Sequence, residues 1–125
     1  VRLDASHLPG PLRERLLELF GPGIGEVRIV EYSWINALHG WPLAVTRRNR
    51  IYLRWGLAEF AAHPQLVLHE YFHVIEQWNT GRLTAWRYLL QNLRRGYHAN
   101  PYEMEARAFA AAHRAGRGPA TARQA

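Results

Sequence analysis

The chain contains no cysteine. Disulfide bridges and thiolate zinc centres are therefore excluded, but no compartment is assigned, because cytosolic and secreted proteins alike can lack the residue. Aspartate is almost missing as well: Asp4 is the single one, and the other acids are glutamates. No apolar run reaches the ~18–20 residues that a membrane-spanning helix requires. The chain opens at Val1 with no charged segment followed by an apolar one, so no signal peptide is expected in it. A valine start reads as a trimmed or mature fragment. No internal repeat and no second domain stand out. At 125 residues the chain is long enough to bury a core without staples. One minimal domain is expected over 1–115, with a polar, frayed tail over 116–125.

Charge of one sign dominates. The formal net charge is +6, carried by arginine, which permits nucleic acid, anionic lipid or an acidic protein as partner. The arginines are spread along the chain, and their short clusters fall at expected element ends. Arg47-Arg48-Asn49-Arg50 suits a hairpin turn. Arg94-Arg95 sits near a helix C-terminus, where cations complement the helix dipole. Solvated turns and helix ends are favoured over a nucleic-acid surface.

Against these absences stands one motif, His69-Glu70-Tyr71-Phe72-His73. Two imidazoles four residues apart on a helix lie on one face and can grip a single metal ion. The carboxylate between them can handle a proton beside that metal. At about 100° per residue, His69, Glu70, His73, Glu76 and Gln77 share an arc of about 120°, with Leu66 as the one apolar intruder. Val67, Leu68, Tyr71, Phe72, Val74, Ile75 and Trp78 fill much of the rest. A surface helix shows the reverse balance, so this pattern predicts a buried central helix with one polar strip facing a cleft.

Around it the periodicities predict an α+β domain. Pro9 to Phe20 reads as an amphipathic helix stopped by Gly21-Pro22-Gly23. Glu26 to Tyr32 alternates as a strand. Ser33 to Pro42, with Trp34, Asn36, His39 and Trp41, reads as an aromatic-rich loop. Leu43 to Thr46 and Arg50 to Trp55 form a hairpin, and Gly56 to His63 is ambiguous. Pro64 opens the motif helix, which runs to about Trp78 before Asn79-Thr80-Gly81. Thr84 caps a helix with Trp86, Leu89, Leu90 and Leu93 on one face and Gly96 at its end. Tyr97-His98-Ala99 then connects to a last helix opened by Asn100-Pro101. The expected architecture is a three- to four-stranded sheet packed on a buried HExxH helix, followed by a helix pair that carries a third ligand.

A hydrolytic zinc site takes three protein ligands and keeps one position open. The last helix offers Glu103 and Glu105. Glu103 shares an edge with Ala106 and Ala110, which allow close approach to another helix, whereas Glu105 projects about 160° away. Geometry favours Glu103. Asn100-Pro101-Tyr102-Glu103 also fits a capping box, in which Glu103 would serve the helix end alone. His98 is the other candidate ligand.

The motif, followed some thirty residues later by Glu103-Met104-Glu105-Ala106-Arg107-Ala108-Phe109-Ala110, resembles the gluzincin metallopeptidases. The resemblance is greatest to the minigluzincins and to the short bacterial HExxH domains of toxin-like and contractile-injection proteins. It spans roughly residues 27–112 and includes Ala44-Val45-Thr46, Asn49, Ile51-Tyr52 and a His-Glu-x-x-His-Val-x-x-Gln pattern over His69 to Gln77. It implies Zn2+ bound by His69, His73 and Glu103, with Glu70 as general base and acid. Many gluzincins place Asp four residues after the ligand Glu, where it orients a metal-bound His. Arg107 stands there in this chain, so a backbone carbonyl or another side chain must take that role. The larger gluzincins also carry a whole C-terminal subdomain where this chain has one helix pair.

The implied reaction is peptide-bond hydrolysis by a metal-activated water. Tyr97 and His98, just before Glu103, are the candidate oxyanion donors. The resemblance implies an extended peptide substrate along an exposed strand edge, for which Arg50 to Trp55 is the expected strand. Three alternatives compete. One is a zinc-binding domain that acts in partner interaction without peptidase activity. Another is a SprT-like, DNA-associated metalloprotease, which favours a third His ligand. The last is a metal-free nucleic-acid-binding module. A monomer, or a domain fused to a larger protein, is expected.

Overall fold

The computed structural model describes residues 3–38 and 43–113. The expected tail over 116–125, together with His39 and Trp41 of the expected loop, lies outside them. The described part mixes helix and strand. Helix α1 (Gly10–Phe20) leads through a 3-10 segment to strand β1 (Arg28–Val30) and the single-turn helix α2 (Ile35–Leu38). Strands β2 (Ala44–Arg47) and β3 (Arg50–Leu53) follow, then α3 (Leu57–Ala61) and α4 (Pro64–Phe72). Helix α4 continues without interruption into a π-helical stretch, His73–Trp78. The chain closes with α5 (Ala85–Ala99) and α6 (Pro101–Ala112). No described helix is long and apolar enough to cross a membrane.

The sheet has the order β1-β3-β2, with β1 parallel and β2 antiparallel to β3. This corrects one expectation. Arg50 to Trp55 cannot offer a free edge, because β3 is the central strand and both its flanks are hydrogen-bonded. Strand β1 carries an outer bridge from Leu3 to Ile29, which leaves β2 as the edge with no partner strand among the described residues. Strand β1 is also shorter than the alternation suggested. Residues Pro22–Glu26 wind into a 3-10 segment instead, where Ile24 buries itself and the Val27 N–H closes on the Ile24 carbonyl.

Two short helices form in stretches read as a loop and as ambiguous, and local side-chain contacts start each of them. In the expected loop after Tyr32, the Ser33 hydroxyl accepts the Ile35 N–H at 3.2 Å and starts α2, and the Asn36 amide donates to the Tyr52 carbonyl of β3. In the ambiguous stretch, Glu59 reaches back to accept the Gly56 N–H at 3.2 Å. That contact caps α3 from its third residue.

The core runs from α1 through the sheet to α4, joining Leu12, Leu16, Ile29, Ile51, Leu53, Val67, Leu68 and Tyr71. The hairpin is pinned to the far end of the motif helix. Asn49, in the left-handed region at φ 54° as a tight turn demands, exchanges two hydrogen bonds with Asn79, at 3.1 and 2.7 Å. The Trp78 indole N–H donates to Thr46 Oγ1 at 3.1 Å. Helix α6 lies along α4, with Ala106 and Ala110 buried and Phe109 packed at a tilt of 34° against Phe72, ring centroids 4.7 Å apart.

Helix α5 departs most from a conventional amphipathic element. Thr84 caps it as read from the sequence, accepting the Arg87 N–H, and Gly96 interrupts it in the left-handed region at φ 78°. Beyond that break Tyr97 to Ala99 make a further turn rather than a plain connection. None of its side chains is buried, and Trp86, Leu89, Leu90 and Leu93 all face solvent. A direct test compares two leucines. Leu53→Ala in the core is expected to cost about 2–5 kcal/mol in urea denaturation, whereas Leu93→Ala should stay within about 0.5 kcal/mol. Equal costs would show that α5 packs its apolar face inward.

Candidate metal centre

The motif helix and α6 bring three side chains together. His69 Nε2 and His73 Nε2 stand 3.2 Å apart, and each lies 3.1 Å from Glu103 Oε1. His73 and Glu103 are buried, and His69 is only slightly exposed. These three form the cluster of potential metal ligands among the described residues. Glu70, between the two imidazoles in sequence, is also buried, at 8% exposure. Burial drives its carboxyl pKa upward, opposed by the nearby His73 and His69.

The protonation pattern can be deduced from the neighbours. The Gln77 amide nitrogen donates both to the Tyr102 carbonyl, at 3.0 Å, and to Glu105 Oε1, at 2.8 Å. Its oxygen must therefore face His73, where it accepts from Nδ1 at 2.7 Å. A His73 that donates from Nδ1 keeps, when neutral, a bare lone pair on Nε2. That lone pair points at a carboxylate oxygen and at a second imidazole nitrogen. Electron-rich atoms held this close are compatible only with a cation among them or a proton on one of the imidazole nitrogens. The pKa directions agree. Burial alone would lower His73, yet the Glu103 hydrogen bond and the charges of Glu70 and Glu103 raise it. Burial alone would raise Glu103, yet its bonds to His69 and His73 hold it far below the usual carboxylate range. The donor set of two imidazole nitrogens and one carboxylate oxygen fits a metal ion.

Glu103 is not a capping residue. Asn100 does cap α6, accepting the Tyr102 N–H at 2.9 Å, but the Asn100 N–H goes to the Tyr97 carbonyl. Both Glu103 oxygens are committed elsewhere. Oε1 faces the imidazoles, and Oε2 accepts the Tyr88 hydroxyl at 2.5 Å. Tyr88 went unnoticed in the sequence. It sits on the polar side of a helix whose apolar stripe draws attention to the other face. Its signal is the combination Tyr88, Asn92, Asn100, all polar and spaced to meet across the α5–α6 corner. Asn100 Nδ2 donates to Asn92 Oδ1 at 2.8 Å.

Glu105 does face away from the triad, yet it is connected to it. Through Gln77 it stands behind His73, and Arg82 donates to it in turn at 2.8 Å. The position four residues after Glu103 plays no such part, since Arg107 donates to the His98 carbonyl instead. The side chain that holds His73 Nδ1 is Gln77. Of the two candidate oxyanion donors, Tyr97 is half exposed and near the cluster. Partial burial, and then the charges of Glu103 and Glu70, push its phenol up to about 12. His98 is exposed, its ring rests edge-on against Tyr97, and it does not join the three ligand atoms. No protein family, curated protein or solved structure matches the chain.

The corner at Asn100 gives a prediction of its own. Asn100→Ala removes a helix cap and buried donors together, and is expected to cost about 1–2 kcal/mol in chemical denaturation. Asn100→Asp keeps the capping oxygen and should recover only part of that loss. Full recovery would mean that the donated bonds to α5 contribute nothing.

Proposed function

We propose that this chain is a zinc-dependent metallopeptidase-like domain of the gluzincin kind, hydrolysing peptide bonds in a protein or peptide substrate. The observation that carries the reading is the meeting of His69, His73 and Glu103 at 3.1–3.2 Å. Donor atoms around one tetrahedral zinc stand about 3.3 Å apart, given Zn–N bonds of about 2.0–2.1 Å. In this reading the sheet lies over the buried HExxH helix, and the α5–α6 pair delivers the third ligand. His69 Nε2, His73 Nε2 and Glu103 Oε1 would hold the ion. When bound, zinc supplies a Lewis acid that acidifies water and polarises a carbonyl.

The rest of the chemistry belongs to the chain's own side chains. Glu70 takes the proton of the attacking water and passes it to the leaving amine, a role helped by a carboxyl whose pKa burial has raised. Tyr97 keeps its proton at neutral pH and can donate to the developing oxyanion. Tyr88 and Gln77 act as positioning residues. One holds the outer oxygen of Glu103, and the other holds the Nδ1 proton of His73. An extended substrate would add to the outer edge of β2, which has no partner strand among the described residues and which the Thr46–Trp78 bond joins to the motif helix. A three-histidine, DNA-associated site would need His98, and the position of that ring outside the cluster weighs against it.

Two measurements test the proposal. Protein purified without added metal should carry about one zinc per chain. Glu103→Ala should weaken zinc at least about tenfold, while Glu105→Ala, one bond further out, should change it by less than about threefold. Equal effects, or full zinc in a His69→Ala/His73→Ala variant, would place the metal elsewhere. In a peptide-hydrolysis assay, Glu70→Gln should retain zinc and fold but lose activity by at least about a hundredfold, because an amide cannot act as base. Retained hydrolysis would remove Glu70 from the mechanism.

A further inference from the structure

Helix α5 is turned inside out. Its inward side is polar: Tyr88 reaches Glu103, and Asn92 meets Asn100. Its apolar stripe points away from the domain, with Trp86 at 69% exposure, Leu93 at 75%, Leu89 at 48% and Leu90 at 37%. At about 100° per residue these four side chains share an arc of about 100°. A contiguous exposed stripe of this kind marks a contact surface rather than a scattered surface residue.

The charge around the stripe says what the contact is. From Gln77 to Tyr102 the chain has no acidic residue and four arginines, Arg82, Arg87, Arg94 and Arg95. Arg82 is paired with Glu105, and Arg87 donates to the Gly81 and Arg82 carbonyls. Arg94 is exposed and has no hydrogen bond or ion pair among the described residues; at about 100° per residue it lies about 40° beyond Leu90 with Arg87 about 20° further on, whereas Arg95 falls on the opposite side of the helix from the stripe. All sixteen basic residues of the chain are arginine, the side chain whose planar fork matches phosphate oxygens in pairs. A second copy docked on the same face would oppose this positive rim with an identical one. An exposed stripe of one Trp and three Leu with a cationic edge is instead the form of a helix that lies in a membrane interface.

We propose that the outward face of α5 docks on an anionic lipid bilayer, with Trp86, Leu89, Leu90 and Leu93 in the headgroup–acyl boundary and Arg94, beside Arg87 along the edge of the stripe, on lipid phosphates. This surface is independent of the metal reading. It places the cluster, reached through Tyr88 on the opposite side of the same helix, close to the membrane plane.

Vesicle flotation of the whole chain tests this. Binding to phosphatidylglycerol-containing vesicles should exceed binding to pure phosphatidylcholine vesicles by at least about tenfold, and should fall as salt is raised. Leu89→Ser/Leu93→Ser should reduce binding about tenfold or more, and Arg94→Glu should reduce it at least about threefold, each with an unchanged circular dichroism spectrum, since all three side chains are exposed. Undiminished binding in either variant, or no binding to the anionic vesicles at low salt, would overturn the proposal. So would self-association of the parent chain in sedimentation that the leucine double variant abolishes, which would give the face to a second copy.

Discussion

One buried negative charge organises this domain. Glu103 comes from the first turn of α6, and its two oxygens serve two different helices. Oε1 faces both imidazoles of the motif helix, and Oε2 takes the Tyr88 hydroxyl from α5. A carboxylate removed from water must be compensated on every side, so three elements are held in register by one group. The alanines beside it, Ala106 and Ala110, let α6 approach α4 closely enough for the contact to form. Asn100, at the corner between α5 and α6, caps α6 and donates back to Asn92 of α5.

The cost of serving that charge shows on the far side of α5. A short helix has one polar and one apolar face, and here the polar face is required inward by Glu103 and Asn100. The apolar stripe is then left outside by the same rotation. Site geometry and exposed surface are thus one decision about one helix. Had α5 packed its leucines inward, Tyr88 would point to solvent and Glu103 would lose its outer partner.

The contacts behind His73 show a comparable economy. The π-helical stretch His73–Trp78 widens the turn that carries Gln77, and the Asn79 N–H bonds back five residues to Val74. Gln77 reads His73 on one end and Tyr102 and Glu105 on the other, which fixes its amide orientation and with it the histidine tautomer. The same stretch presents Trp78 to Thr46 and leads to Asn79, opposite Asn49. The edge strand and the histidine pair are therefore tied to a single segment. π-helical turns recur at functional sites because they re-aim side chains that a regular helix would misplace.

The sequence alone determined the features whose causes are local. The i, i+4 histidines, the hairpin around Arg48-Asn49, the caps at Thr84 and Asn100, and the separation of Glu103 from Glu105 on the last helix all follow from periodicity and cap chemistry within a few residues. What tertiary structure decided is pairing across distance. Placing β3 at the centre of the sheet depends on a parallel contact with β1 some twenty residues away, which alternation within a strand cannot show. The roles of Tyr88 and Gln77 depend on the angle between α5, α6 and α4. The outward turn of Trp86, Leu89, Leu90 and Leu93 ran against their hydrophobicity, because a helical wheel identifies which residues share a face but not which face meets the core. That choice was made by a carboxylate fifteen residues beyond Tyr88, where the need to compensate a buried charge outweighed the burial of an apolar stripe.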